Sequence, residues 1–509
     1  MNRIRGKRRW IILAAVIVVL AVVITLCVRT LTSSEDEQEP TIHSVQSDST
    51  FVVGLSEEPT SLNIRTNNER TVEQALLGNV YETLVKRDNK NALTPGMAKS
   101  WDISPDALTY TFHLNSGMSF ADGDPLNSTD VVWSLQQVLS HRFVGYENLG
   151  DVASVKNPDA HTVVITLHSP NPRLLRALSD RPGIVYDREQ DDSIDYNKEA
   201  SGSGPFIVGG FHHHSLILKR NNQYWGTKAK ASQIELRYYS NETSLMDDLN
   251  NNVINMALPR YASSLEEAST NPTFTINTGF SLQKILLGFN CSNNSPLSDQ
   301  QVRKAVRYAI NAPQIARTMP DSKEQLGGPI GPLNPGYENL NSLFPFDQAK
   351  AQQMLSYFPA GYTGTLDMLV QHHYENLGRM IEKNLTEAGF SVNLEVLDQA
   401  TLQDRVNAGD YTMAIMMMRD QYDYTQFLDP NSVFHYENGA AQQEYDTAIS
   451  SKTLDEYKQH LANFARIVSE DAASEWLYTR KDFVVTKARL HGYPTNMTGH
   501  YLPLVNLDR

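Results

Sequence analysis

Cysteine is nearly absent from this chain of 509 residues: Cys27 and Cys291 are the only two. Cys27 lies inside an apolar run and Cys291 far from it, so no internal disulfide framework is expected. An excess of positive charge is missing too. Lys and Arg number 44 against 58 Asp and Glu, a formal net charge of −14, which argues against a nucleic-acid partner because phosphate binding needs clustered cations. The sequence also lacks a Gly-x-Ser-x-Gly elbow, a His-Glu-x-x-His pair and a phosphate loop. Its many acidic residues show no paired spacing, so nothing reads as acid–base catalysis and the chain is not expected to be an enzyme. No internal repeat is found, and the one biased segment is residues 30–50.

What is present begins with a basic flank, MNRIRGKRRW, followed by uninterrupted apolar sequence from Trp10 to Val28. That run approaches the roughly 20 residues that span a hydrocarbon core. It exceeds the apolar stretch of about 7–15 residues in a cleaved secretory signal. We read it as an uncleaved signal anchor; a lipoprotein signal acylated at Cys27 and a cleaved secretory peptide are the alternatives. Each sends the chain after Arg29 across the membrane, because the positive flank stays cytoplasmic. Residues 30–50 are acidic and poor in large apolar groups, so they form a tether between membrane and folded domain.

From Phe51 the chain is ordinary globular sequence, and its 40% apolar content suffices to bury real cores. Its length implies about three domains. FVVGL reads as a strand, and residues 71–87 carry Leu76, Val80, Leu84 and Val85 at helical spacing. LTYTFHL (108–114) and HTVVITL (161–167) alternate as half-buried strands. Between them, Ser128 or Thr129 is expected to cap a helix starting at Asp130. A hairpin (FIVGGF, SLILKRN) and a strand (IELRYY) come next. From Gln283 strands alternate with helices: KILLGFN, then DQQVRKAVRYAIN, and later a helix closing at Gly389, SVNLEVL and YTMAIMMM. Such alternation predicts α/β domains with some parallel pairing.

Four stretches carry a resemblance. They are NVYETLVKRDNKNALTPGMAKSW (79–101), LTYTFHLNSGMSFADGDPLNSTDVVWSL (108–135), GSGPF with the later NNQYWG (221–226), and LGFNCSNNSPLSDQQVRKAVRYAIN (287–311). In this order and at these distances they resemble the bacterial extracellular solute-binding proteins of the oligopeptide/dipeptide/nickel class (family 5), the receptors of ABC importers. The likeness extends over nearly everything from Phe51 to Arg509. It implies an α/β, two-lobed periplasmic-binding-protein-like fold around a cleft, with an extra subdomain. Lobe I would comprise 51–77, 201–281 and 484–509, subdomain II 78–200, and lobe III 282–483. The two crossings, near Phe280 and Val484, would form a hinge. The implied function is capture of short peptides by a monomer at the cell membrane, its binding domain extracytoplasmic, and delivery to the importer's transmembrane subunits.

The family's ligand segment is a Trp-x-x-Asp-Tyr-x-Asp-Pro-x-x-Phe-Leu stretch. Here it implies Met417 at the Trp position, Asp420 as the carboxylate for a ligand's amine, and Asp423 as a second acid. An ammonium group in a partly dry cleft needs a fixed anion, which is the role expected of Asp420. Met416 and Met418 would flank this point, either on an exposed strand edge that a peptide extends or packed in the core. Tyr422, with Tyr424 and Tyr436, is a further candidate for the cleft wall. The missing Trp, and SLNI (61–64) in place of Ser-Leu-Asp-Pro, leave room for other ligands: a metal chelate, an amino-acid conjugate or an oligosaccharide. A membrane-tethered solute-sensing ectodomain is the alternative role. No cofactor or metal site is expected, since HHH (212–214) falls in a turn where consecutive histidines rarely converge on one ion.

Overall fold

The structure, a computed structural model, describes residues 49–357, 364–487, 489–496 and 502–509. The amino-terminal apolar run and the tether through residue 48 lie outside the described residues. Among the described residues no helix is long and apolar enough to cross a membrane.

The first strand is β1 (Thr50–Leu55). A two-stranded ribbon, β2 (Val85–Arg87) and β3 (Leu93–Pro95), leads into an antiparallel sheet of β4 (Ala98–Ile103), β5 (Thr109–Leu114), β6 (Val152–Asp159) and β7 (Thr162–Leu167). That sheet has the order β4-β5-β7-β6. The remaining strands are β8 (Phe206–His212), β9 (Ser215–Arg220), β10 (Gln233–Tyr238), β11 (Met256–Ala257), β12 (Phe274–Phe289), β13 (Ser322–Gln325), β14 (Thr365–Gln371), β15 (Ser391–Leu397), β16 (Met413–Met418) and β17 (Ser474–Lys487). With β1 they form one mixed sheet, β15-β14-β16-β12-β17-β11-β1-β10-β9-β8, with β13 added beside β17.

Two unusually long strands carry this sheet from one lobe to the other. Phe274–Phe280 of β12 pairs with Lys481–Lys487 of β17, and Lys284–Gly288 pairs with Ser474–Thr479. The register breaks between Phe280 and Lys284, opposite Thr479–Lys481. On one side of the break Val484 packs with Phe51, Val53 and Leu236. On the other, Ile285 and Leu287 pack with Val302, Met368 and Ile415. Each of these buried apolar side chains contributes about 1.5–3 kcal/mol. Val484 is thus already packed in the core that contains β1. Gly279 adjoins the break for a steric reason: a Cβ there would sit 1.5 Å from the Thr495 carbonyl oxygen.

Two local expectations are corrected. The helix expected over 71–87 spans only Arg70–Leu76. Gly78 turns the chain at φ 76°, and Tyr81 bridges back to Leu77 before Val85–Arg87 takes up strand pairing. The helix Ser128–His141 is capped by Asn127, whose side chain accepts from Thr129 N–H, while Asp130 accepts from the Asn127 N–H. Satisfying amides from both directions fixes the helix start earlier than a lone hydroxyl would. Gly389, at φ 100°, follows the helix Glu375–Glu387, whose end it closes.

Candidate functional site

Strand β16 is held by β12 along its whole length, from Phe289 against Met413 to Lys284 against Met418. Its other edge meets β14 only at Met413 and Ala414. Beyond Ala414, β14 departs into the turn His372–Tyr374, so among the described residues Ile415–Met418 has one edge without a ladder partner. A cavity of about 420 Å³ opens there, lined among others by Gln371, Tyr374, Gln399, Met416, Met417 and Arg419.

Strand periodicity separates the three methionines. Met417 lies toward the lobe junction, with its sulfur 3.8 Å from Nη1 of Arg480. Met416 lies on the opposite face, close over Gly288. Both are half-buried. Met418, expected in the ligand set, is a core residue 4% exposed that packs with Tyr424 and Trp476.

A second cavity, about 180 Å³, lies between the lobes beside the β12–β17 crossing. Met417 and Arg419 border both cavities. The second is rich in arginine. Arg260 pairs with Glu57 at 2.5 Å, Arg480 Nε with Asp321 at 3.0 Å, and Arg70 Nη2 with Asp420 at 3.1 Å. The guanidinium of Arg419 makes no hydrogen bond or ion pair among the described residues. Its partial burial, reinforced by the Arg70 and Arg260 guanidinium groups, pulls its pKa below the ordinary value. The Glu57 carboxylate pulls the other way, but a half-buried cation that makes no ion pair of its own favours an anion in the space it faces.

Asp420 stands at the mouth of this arrangement. Its carboxylate bridges the lobes to Arg70, and a third cavity of about 450 Å³ is bordered by Arg70, Asp420, Gln421 and Tyr422. The segment is pinned from below and from the side. Asp423, expected as a second ligand acid, is buried: one oxygen accepts from Lys284 Nζ at 2.5 Å and the other from Asp420 N–H at 3.0 Å. Burial pushes its carboxyl pKa up against the opposing pull of the Lys284 ammonium. With both oxygens taken, Asp423 positions Asp420 and does not face a ligand. From β2 and from the segment after β7, Arg87 and Arg176 donate to the Gln421 side chain at 3.4 and 3.5 Å. The Arg173 guanidinium lies 5.4 Å from the centre of the half-buried Tyr422 ring.

Tyr422 thus borders a cavity, whereas Tyr424 and Tyr436, each 2% exposed, are core residues clustered with Phe427 and Trp476. Sequence reasoning missed Arg70, Arg260, Arg419 and Arg480. Only Arg419 carried a signal, its adjacency to Asp420. The other three are far apart in the chain and meet only at the lobe junction.

The family described as bacterial extracellular solute-binding proteins, family 5, matches residues 92–442. The chain belongs to that family. Among relatives of this family 5 receptor, the probable D,D-dipeptide-binding periplasmic protein DdpA of Escherichia coli K12 is 22% identical over 483 residues. That alignment covers 90% of this chain and 93% of the relative. The ABC transporter substrate-binding protein CtaP of Listeria monocytogenes superposes with a TM-score of 0.81 at 19% identity, covering 91% of this chain and 99% of CtaP. The periplasmic binding protein DppA of Helicobacter pylori, solved with the peptide STSA, gives 0.70 at 20% identity, covering 90% and 98%. These structural likenesses establish the two-lobed fold. As a family 5 protein, the chain is a solute-binding protein of an ABC importer, and the relatives named here are binding proteins, not enzymes.

Proposed function

We propose that this receptor captures a short peptide in the cleft between lobes I and III and delivers it to the transmembrane subunits of an ABC importer. In this reading the segment Trp10–Val28 holds the protein to the membrane. The observation that carries the peptide reading is the free edge of Ile415–Met418, opening on a cavity bordered by Arg419, while the next residue, Asp420, borders a neighbouring cavity. An extended peptide adds to such an edge through its backbone, which gives affinity that varies little with side chain. Met416 and Met417, being pliable, accommodate varied side chains beside it. Asp420 receives the ligand's ammonium group in exchange for Arg70, and Arg419 receives a carboxylate. The relatives' names, D,D-dipeptide-binding and peptide-complexed, agree with this class of ligand. The arginine-rich junction favours one second reading, an acidic amino-acid conjugate held by the same guanidinium groups.

Calorimetry with a tripeptide and its N-acetylated form tests the assignment. A charge-assisted hydrogen bond contributes about 1.5–3 kcal/mol, so acetylation should weaken binding by about tenfold or more. In Asp420→Ala the two forms should bind alike. Equal affinities for both forms in the unaltered protein would remove the amine anchor, and failure of both forms to bind would remove the peptide reading.

A further inference from the structure

The β8–β9 hairpin leaves a feature that peptide capture does not use. His212 pairs with Ser215, so His213 and His214 are the two turn residues. His214 has φ 65°, a left-handed conformation uncommon outside glycine. Glu58, from the loop after β1, reaches this turn from a separate segment of the chain. Its Oε1 accepts the His214 N–H at 2.8 Å. Its Oε2 faces both imidazoles, 3.0 Å from His214 Nδ1 and 3.8 Å from His213 Nδ1. The two rings lie side by side, with centroids 3.6 Å apart.

We propose that Glu58, His213 and His214 bind a late first-row divalent cation: zinc, nickel or copper. Zinc bonds to imidazole nitrogen and carboxylate oxygen are about 2.0–2.2 Å long, so tetrahedral ligand atoms are separated by about 3.3–3.5 Å. The two measured separations bracket that range, and the three ligand atoms all lie within 4.8 Å of one another. Two imidazoles with one carboxylate suit zinc, nickel or copper, whereas calcium and magnesium select oxygen. Holding the turn requires only one oxygen of Glu58; the second oxygen, aimed at both Nδ1 atoms, is what the turn alone does not explain. The His213 side chain is 82% exposed, which gives an ion direct entry from solvent. An adjoining cavity of about 420 Å³, lined by Glu58, Thr60, Phe211 and His212, leaves room for completing water ligands. None of the three ligands borders the interlobe cavities, so the site is separate from the cleft. No metal site is expected from HHH as a turn; Glu58, from a separate segment, is the group that a reading of the turn could not supply.

Titrating zinc chloride and nickel chloride into the full-length protein in detergent, followed by calorimetry and by thermal denaturation with and without chelator, tests the site. One saturable ion per chain and a chelator-reversible rise in the denaturation midpoint are expected. Glu58→Gln keeps an acceptor for the His214 N–H, and should weaken zinc binding by about tenfold or more without changing the circular dichroism spectrum. The double variant His213→Asn, His214→Asn should abolish it. Absence of saturable binding overturns the proposal. So does binding that survives in the double variant, or that is the same in Glu58→Gln as in the unaltered protein, the last showing a histidine-only surface site.

Discussion

Lys284 Nζ and Asp423 Oδ1 lie 2.5 Å apart, with side chains 1% and 6% exposed. One comes from the strand that crosses between lobes, the other from the turn that presents Asp420. Removing one member of a buried pair strands the other without compensation, at a cost of about 3–5 kcal/mol. Asp423→Ala should lose that much in chemical denaturation at neutral pH, and Lys284→Met with Asp423→Leu should recover most of it. A single-variant loss under about 1 kcal/mol would show that Lys284 finds another partner.

Arg419 should move stability and affinity in opposite directions. Arg419→Gln relieves repulsion from Arg70 and Arg260, so the denaturation midpoint should rise slightly in the absence of peptide. The same variant should weaken a peptide with a free carboxylate by about tenfold or more, while its C-amidated form is unaffected. Equal losses for both forms would reduce Arg419 to a shaping role.

The Arg70–Asp420 bridge is partly exposed, with side chains 33% and 54% accessible. Such pairs contribute about 0–1 kcal/mol, so Arg70→Ala should barely alter stability. It removes a competitor for Asp420, and affinity for a free-amine peptide should rise by up to about fivefold. Weakened binding in calorimetry would instead make Arg70 a ligand contact.

Asp187 sets a pH dependence. It is 2% exposed, and its Oδ2 has no hydrogen-bond partner among the described residues. Burial, with Asp122 and Asp124 adding to it against the Glu189 N–H, pushes its carboxyl up to about 6. The native state therefore holds this proton more tightly than the unfolded chain. Its contribution is full below about pH 4 and is lost as pH rises through about 6, a change of about 3 kcal/mol at most. Asp187→Asn should match the unaltered protein at pH 4 and exceed it at pH 7.5. Parallel stability curves for the two across that range would refute the assignment.

Much of the architecture was legible because it rests on short-range chemistry. Period-two alternation marks Thr109–Leu114 and Thr162–Leu167 as strands facing one core, and Asp299 caps the helix Gln300–Ala309 where its side chain can accept an amide hydrogen. The helix that stopped at Leu76 was misread because apolar spacing continued past the turn at Gly78. Position within the family's ligand segment pointed to Asp420, but it could not tell Met417, at the lobe junction, from Met418 in the core. That distinction depends on which neighbours each strand face meets.

The sequence by itself determined the family, the order of strands and helices, and the segment that carries Asp420. These follow from periodicity, capping and motif spacing within a few tens of residues. Only the tertiary structure decided that Asp423 is spent on Lys284, that β14 leaves β16 with a free edge, and that four arginines meet around Met417. Glu58 joining His213 and His214 is of the same kind. Each is a contact between segments far apart in the chain, and local propensity carries no record of which distant charge a folded sheet brings within 4 Å.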